Sequence, residues 1–392
     1  MADSLEITAA AATEVPFHKA CLGQAELSGV ADAIKSGWIT MGPKTVEFEE
    51  RFKSYLCARS GLSVAGLFGV SVNSATAAMH LALKAVGIQR GDEVILPTNT
   101  FIATAEVVTY FGAVPVLCDI EEDTHNMDVS SLEKLITSRT KAIIPVHFGG
   151  QPCDMDEIMA LARKRGLPVI EDAAHALPSE YKGRIVGTIG DLTCFSFYAT
   201  KTLAMGEGGM VVTANKAYAE RVKINRLHGI SRDAWDRYTL KGNWYYEVVD
   251  NGYKYNTTDI NAALGLAQLG KLDSMNDART RIAAVYDAAF AGSCVTPSTQ
   301  RPDRTTCRHL YVIKVSNRDE LHDKLKGDGI GTSVHFIPVH KHPHYRDTYG
   351  YRDAAFPAAN RVFERSLSLP IYPDMTPEQV EHVWRSVLRH AR

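Results

Sequence analysis

Through the middle of the chain, short apolar runs alternate with longer stretches whose apolar positions recur every three or four residues. The runs Glu93-Val94-Ile95-Leu96, Val114-Pro115-Val116-Leu117-Cys118, Ala142-Ile143-Ile144-Pro145-Val146 and Pro168-Val169-Ile170 read as strands buried on both faces. Between them, Leu132-Glu133-Lys134-Leu135-Ile136 and Met155 to Ala162 read as helices. This alternation predicts an α/β fold with a mostly parallel sheet flanked by helices on both faces. Beyond about Lys271 the rhythm changes. A helix-like run through Arg281-Ile282-Ala283-Ala284-Val285-Tyr286 leads into Leu310-Tyr311-Val312-Ile313-Lys314-Val315 and then Glu320 to Leu325, which predicts a smaller C-terminal α+β domain. No internal repeat is present. The expected division is a flexible leader over 1–15, a large domain over 16–270 whose first residues are free to pack on the small one, and the small domain over 271–392.

Composition narrows the class. At 392 residues the chain exceeds the size at which one core stops growing, in keeping with two domains. Lys plus Arg number 43 against 45 Asp plus Glu, for a net charge of −2 without a long basic run, so nucleic acid is not an expected partner. The seven cysteines are scattered, odd in number and without a close metal-type pair, which reads as reduced thiols in a cytoplasm. Met1-Ala2-Asp3-Ser4-Leu5-Glu6 carries acids where a signal peptide needs positive charge, and the alanine-rich run after it is too short to span a bilayer. The expectation is a soluble cytoplasmic enzyme with a partly disordered leader and no membrane partner.

Candidate chemistry centres on Cys194-Phe195-Ser196-Phe197-Tyr198-Ala199-Thr200-Lys201, which runs into Gly206-Glu207-Gly208-Gly209 and follows Glu171-Asp172-Ala173-Ala174-His175. A lysine becomes a covalent catalyst where its site lowers the ammonium pKa, and pyridoxal phosphate (PLP) is the commonest cofactor that uses one. That cofactor also needs an acid beside its pyridine nitrogen. Asp172, at the end of an apolar strand run, is placed to supply it. Taken singly, Lys201 reads as a strand terminus reaching solvent; the joint context gives it chemical meaning. The glycines permit close backbone approach. Asn73-Ser74-Ala75-Thr76 opens an apolar-periodic helix, and a helix start is either an ordinary N-cap or an anion site.

With these residues in view, the chain closely resembles the sugar aminotransferases of the DegT/DnrJ/EryC1/StrS family, PLP enzymes of fold type I that aminate nucleotide-linked keto-sugars. The resemblance runs from about Pro16 to the C-terminus. It is carried by Ser36-Gly37-Trp38-Ile39-Thr40 with Gly42-Pro43, Asn73 to Ala78, Glu171 to His175, Ser196 to Lys201, and Gly252-Tyr253-Lys254-Tyr255-Asn256-Thr257-Thr258-Asp259-Ile260. It implies that Lys201 holds the cofactor and then moves protons, and that Asp172 supports the ring nitrogen. Ser74, Ala75, Thr76 and Ser196 would hold the phosphate, although the family usually has glycine at the position of Ala75. Phe101 would stack on the ring, unless it is a core helix residue. His175 would lie beside the ring, unless it is a satisfied core histidine.

The same resemblance implies a homodimer with shared active sites. Asn256 would reach the partner's phosphate site and Lys254 a substrate or phosphate group there; the commoner family spelling has arginine in place of Asn256 and asparagine in place of Lys254. A nucleotide-sugar pyrophosphate calls for cations, for which Arg226, Arg232, Lys341 and Arg346 are candidates, although such a residue is more often a solvated surface charge. Thr40, His335 and His340 are further candidates for substrate contact. The histidine-rich loop Val334 to His344 resembles a metal tract by count, but Pro338 and Pro343 interrupt it and no ligand cluster accompanies it, so no metal is expected. Glutamate is the implied amino donor. The blocks His228 to Trp235 and Tyr245 to Val249 resemble members that aminate C4 of a 4-keto sugar, 6-deoxy or pentose, in preference to C3. A dehydratase of the same family would carry histidine in place of Lys201. A non-catalytic regulator on the same fold and an amino-acid lyase of fold type I compete with the aminotransferase reading. The stretch Ala58 to Gly69 has no assigned role.

Overall fold

The computed structural model describes residues 14–231 and 245–392. All but the last two residues of the expected leader lie outside the described residues, as do Arg232 and the rest of the block that reaches Trp235.

The framework strands are β1 (Phe68–Val72), β2 (Glu93–Pro97), β3 (Val114–Cys118), β4 (Thr140–Ile143) and β5 (Ile170–Asp172). A short hairpin, β6 (Glu180–Tyr181) and β7 (Arg184–Ile185), precedes β8 (Leu192–Ser196) and β9 (Gly209–Thr213). β2 pairs in parallel with β3 and β4, and β5 in parallel with β8. β9 runs antiparallel between β8 and β1. Parallel bridges at Ile143–Val169 and Val146–Asp172 join the two halves into the order β3-β2-β4-β5-β8-β9-β1.

The apolar runs become strands because both faces of this sheet are covered. Along β2, Val94 and Leu96 face one core with Leu81, Ile144 and Ile170. Ile95 faces the other, with Ile143, Val169 and Ile158. On β8, Phe195 turns its ring edge against Phe52, with centroids 5.3 Å apart. The covering helices are α1 (Gln24–Lys35), α2 (Pro43–Ser60), α3 (Ala75–Val86), α4 (Ala103–Thr109), α5 (Val129–Leu135), α6 (Met155–Arg165), α7 (Lys216–Asn225) and α8 (Asp259–Leu269). The stretch Ala58 to Gly69 links the end of α2 to β1, with Arg59 paired to Asp273 at 2.5 Å.

A second core follows. The helix α9 (Leu272–Phe290) leads to β10 (Thr296–Pro297), β11 (Arg304–Thr305), which pairs with β6, and β12 (Tyr311–Lys314). Then come α10 (Arg318–Gly327), α11 (Pro343–Tyr349), α12 (Pro357–Arg365), β13 (Ser366–Leu369) and α13 (Pro377–His390). β10, β12 and β13 form an antiparallel sheet whose Ile313 and Leu367 pack with Tyr286, Leu321 and Val383. Val15 belongs to this core and bridges Ile330. Val339, Tyr345, Phe356, Ala359 and Val362 instead join the core of the large sheet. The chain therefore returns to the large domain between Val339 and α12. Asp119 caps α12 through the amides of Ala358 and Ala359 at 3.0 and 2.9 Å.

Asp259 has a comparable part in the large domain. Its buried carboxylate accepts hydrogen bonds from the amides of Gly42, Lys44 and Thr45 at 2.8, 3.0 and 2.9 Å and from the Thr45 hydroxyl at 2.7 Å. The start of α2 is thus capped from α8, across more than two hundred residues of sequence. Replacing Asp259 with Ala is expected to lower the unfolding free energy by about 2–4 kcal/mol. Breaking the half-exposed Lys44–Glu47 pair is expected to cost about 0.5 kcal/mol. Urea unfolding of the two variants beside the wild type checks the contrast.

Candidate active site

Six strands of the sheet run one way, and the carboxyl ends of all but β3 open onto a cavity of about 510 Å³. Asp172 ends β5, Ser196 ends β8, and Ser74 follows β1 at the start of α3. Thr100 and Phe101 follow β2, and Lys201 lies in the turns after β8. The opposite wall comes from Phe17 and His18, from His309 and Leu310, and from His335, Phe336 and Ile371. Strand ends supply the chemistry and the second core closes over it.

Asp172 is buried, with Oδ1 accepting from the Ala174 amide at 3.1 Å and Oδ2 from the Thr104 hydroxyl at 2.8 Å. Burial raises its pKa, while the bond from Thr104 opposes that rise most strongly. Lys201 shares the cavity. Desolvation draws its ammonium down to about 8, against the upward pull of the negative charge on Asp172. An amine with that pKa is free in useful amounts near neutrality and can attack a carbonyl.

The start of α3 combines both readings of its sequence. Ser74 is an N-cap, its hydroxyl accepting from the Ala77 amide at 3.1 Å. Among the described residues no acceptor takes the amides of Ala75 and Thr76, and both residues line the cavity. Gly209 packs against this backbone so closely that a Cβ there would come within 2.5 Å of the Ser74 carbonyl. Phe101 is 58% exposed, so it is not a core helix residue; its ring lies 5.9 Å from that of Phe336 at the cavity wall.

His175 is buried between His309 and Phe336, at ring distances of 4.4 and 5.8 Å. Its Nδ1 accepts from the Gly149 amide at 3.4 Å, which places its proton on Nε2. Burial holds its pKa, and that of His309, well below the ordinary imidazole value. Burial also lowers His18 and His335 to about 4. His18 bonds the Ala199 carbonyl at 3.0 Å, and His335 bonds Ser368 at 2.9 Å. These imidazoles are neutral at neutral pH and add no cation beside Lys201.

Several candidates lie elsewhere. Arg226 is corrected from a pyrophosphate contact to an internal strut: its buried guanidinium bonds Glu49 at 2.5 Å and the Ser71 carbonyl at 2.9 Å. His340 is likewise corrected. It is fully buried between Thr98 and Asn360, at 2.7 and 3.0 Å, with its ring stacked on Phe356. Lys341 pairs with Asp353 and Arg346 with Asp347, both outside the cavity. Thr40 is exposed, its carbonyl bonded to the Asp259 amide. Lys254 is exposed and Asn256 half-buried, and neither lines the cavity of its own chain. Among the described residues no group of three or more His, Cys, Asp or Glu has a metal-binding arrangement.

The sequence pattern did not single out Phe17, His18, Thr100, Thr104, Glu207, His309 or Phe336, all of which line the cavity. Thr100 and Thr104 carried one usable signal, four-residue spacing at the start of a helix that follows a buried strand. His18 and His309 carried none, because both reach the cavity by tertiary packing from distant segments.

A buried acid, an amine of lowered pKa, open helix-start amides and an exposed aromatic face fit PLP: the acid for the ring nitrogen, the amides for the phosphate. The mixed, mostly parallel sheet and the smaller C-terminal α+β unit are those of a PLP-dependent transferase of fold type I. The chain belongs to the DegT/DnrJ/EryC1/StrS aminotransferase family, which it matches over residues 20–388. It is a PLP-dependent sugar aminotransferase. It is 49% identical over 381 residues to MJ1066 of Methanocaldococcus jannaschii, covering 95% of this chain and 96% of that protein. It is 47% identical over 382 residues to the spore coat polysaccharide biosynthesis protein SpsC of Bacillus subtilis, again covering 95% and 96%. Among solved structures, Spr1654 of Streptococcus pneumoniae, named among the sugar aminotransferases, superposes in its PMP form with a TM-score of 0.88 at 35% identity. That match covers 96% of this chain and 98% of the other, and a PLP form of Spr1654 also superposes at 0.88.

In the cofactor-free protein, modification of Lys201 by an amine-reactive reagent is expected to rise with pH around a midpoint near 8, well below the 10.5 of an ordinary lysine. The charge on Asp172 favours the ammonium, so Asp172→Asn is expected to move that midpoint lower. Peptide mass spectrometry across a pH series reads both.

Proposed function

We propose that this enzyme moves an amino group from L-glutamate to C4 of a nucleotide-linked 4-keto sugar, 6-deoxy or pentose, in amino-sugar biosynthesis. The observation that carries the reading is the placement of Lys201 and Asp172 in one cavity, with the amine drawn down to about 8. Glutamate and the C4 position rest on the resemblance of the blocks around His228 and Tyr245. SpsC, named for polysaccharide biosynthesis, supports a sugar acceptor. C3 of a nucleotide keto-sugar is the second reading.

In this proposal the amides of Ala75 and Thr76, with Ser74 and Ser196, bind the phosphate, and a helix start is a favourable anion site. Phe101 would cover one face of the ring, and His175, neutral and protonated on Nε2, would stand beside it. Asp172 would accept a hydrogen bond from the ring nitrogen. PLP supplies an electron sink when bound. Lys201 holds the cofactor until the donor arrives, and its freed amine then carries the proton to and from the reacting carbon. His335, on the opposite wall, faces the acceptor sugar.

The proposal includes a homodimer in which Lys254 and Asn256 complete the partner's site. Their position outside the cavity of their own chain supports this, as does the exposure of Leu27, Ile34, Ile39 and Tyr198. A cytoplasmic location belongs to the same reading, supported by free cysteines at 57, 118, 153, 194 and 307 that are all buried and unbridged.

The wild-type protein is expected to take up PLP with a visible absorbance band that Lys201→Ala abolishes. Asp172→Asn is expected to lower kcat by at least about hundredfold. Incubation with glutamate and a panel of nucleotide keto-sugars, followed by mass spectrometry, is expected to give the amino-sugar and 2-oxoglutarate. A colourless wild-type protein overturns the catalytic reading and favours a non-catalytic binder.

A further inference from the structure

Asp172 is reached by a chain of two hydroxyls that starts at the cavity wall. Thr104 Oγ1 lies 2.8 Å from Asp172 Oδ2, and Thr100 Oγ1 lies 2.8 Å from Thr104 Oγ1. Both threonines line the cavity and are buried, with exposures of 2% for Thr100 and 0% for Thr104. Thr100 precedes α4 and Thr104 sits in its first turn, so one helix start places both hydroxyls.

The direction of the chain follows from the charge at its end. An ionised carboxylate only accepts hydrogen bonds, so Thr104 must donate to Asp172. With its proton committed, Thr104 can only accept from Thr100. The order Thr100 to Thr104 to Asp172 is therefore fixed while Asp172 is ionised, and protonation of Asp172 would remove that constraint. Charge-assisted bonds of this kind are about twice as strong as neutral ones, and a preceding donor polarises the next.

Other neighbours leave this chain a distinct task. Oδ1 is occupied by the Ala174 amide. Lys201 and His147 act on Asp172 at longer range, and both favour the ionised form. The Cys194 thiol on the adjacent strand is held protonated by burial. Burial of Asp172 works the other way, toward the neutral acid. Thr104 makes the one side-chain hydrogen bond to the carboxylate among the described residues.

We propose that Thr104, oriented by Thr100, is a positioning residue that keeps the Asp172 carboxylate ionised and aimed, and thereby sets the protonation of the pyridine nitrogen of bound PLP. This rests on the reading of Asp172 as the partner of that nitrogen. With the hydroxyl in place the pyridine nitrogen retains its proton against an ionised partner. Without it the proton moves toward the carboxylate and the ring becomes neutral.

The test loads wild type, Thr104→Val, Thr104→Ser and Thr100→Val with PLP labelled with ¹⁵N in the ring. It reads the ¹⁵N chemical shift and the dissociation constant for PLP. Thr104→Val is expected to move the shift toward the unprotonated value and to weaken PLP binding about tenfold. Thr104→Ser, which keeps the hydroxyl, is expected to return both toward wild type. Thr100→Val is expected to move the shift in the same direction by less, and it carries the test if Thr104→Val does not fold. Valine variants that keep the wild-type shift and affinity overturn the proposal, as does a serine variant that behaves like valine. A wild-type protein that takes up no PLP overturns the underlying site reading as well, whereas normal wild-type uptake with unshifted valines overturns the hydroxyl chain alone.

Discussion

A negative charge at the end of a buried strand is tolerated only if the fold surrounds it with donors, and the active-site end of this molecule is arranged around that requirement at Asp172. The strand ladder delivers the carboxylate to the mouth of the sheet. The Ala174 amide and the Thr104 hydroxyl satisfy one oxygen each. Lys201 then experiences two opposed influences, desolvation that drives off its proton and the carboxylate that retains it. Their balance leaves an amine that is neither a surface cation nor an inert core group. The neutral histidines around it preserve that balance, because a protonated imidazole at the same place would disfavour the ammonium further.

The cavity is a joint product of the two cores. Its catalytic floor consists of strand ends from the large sheet, and its roof comes from the N-terminal segment and the smaller antiparallel unit. Long-range carboxylate caps hold the frame. Asp259 ties α8 to the start of α2, and Asp119 ties β3 to α12. Neither aspartate has a part in chemistry, yet one stands within a block that carries the family resemblance. A residue pattern shared across a family therefore mixes groups that act on substrate with groups that hold the backbone.

How far the sequence disclosed this arrangement depended on how local the controlling interactions were. The parallel strands were legible because burial on both faces leaves continuous apolar runs. Lys201, Asp172 and the Ser74 to Thr76 helix start were legible because each sits at a local transition from strand to turn or helix. Arg226 and His340 were misread for the opposite reason. A charged or polar side chain in a loop looks accessible in sequence, and only the three-dimensional fold reveals that Glu49 or Thr98 and Asn360 enclose it. His18 and His309 were missed because their position depends on the packing of distant segments. Thr104 escaped because a threonine in a helix is unremarkable until its hydroxyl is found against a buried acid.

The return of residues 339 to 362 to the large-domain core bears on how ligands enter and leave. The roof residues His335 and Phe336 stand only a few positions before Val339, whose amide bonds the Thr98 carbonyl at 2.8 Å. Lifting the roof as a rigid flap would require breaking that bond, the Asp119 cap on α12 and the hydrogen bond from Tyr351 to the Pro115 carbonyl. Phe101, by contrast, stands largely clear of the core at the rim. The backbone of the roof is tied to the large-domain core on the far side of His335 and Phe336, so floor and roof of the cavity are held by one set of hydrogen bonds.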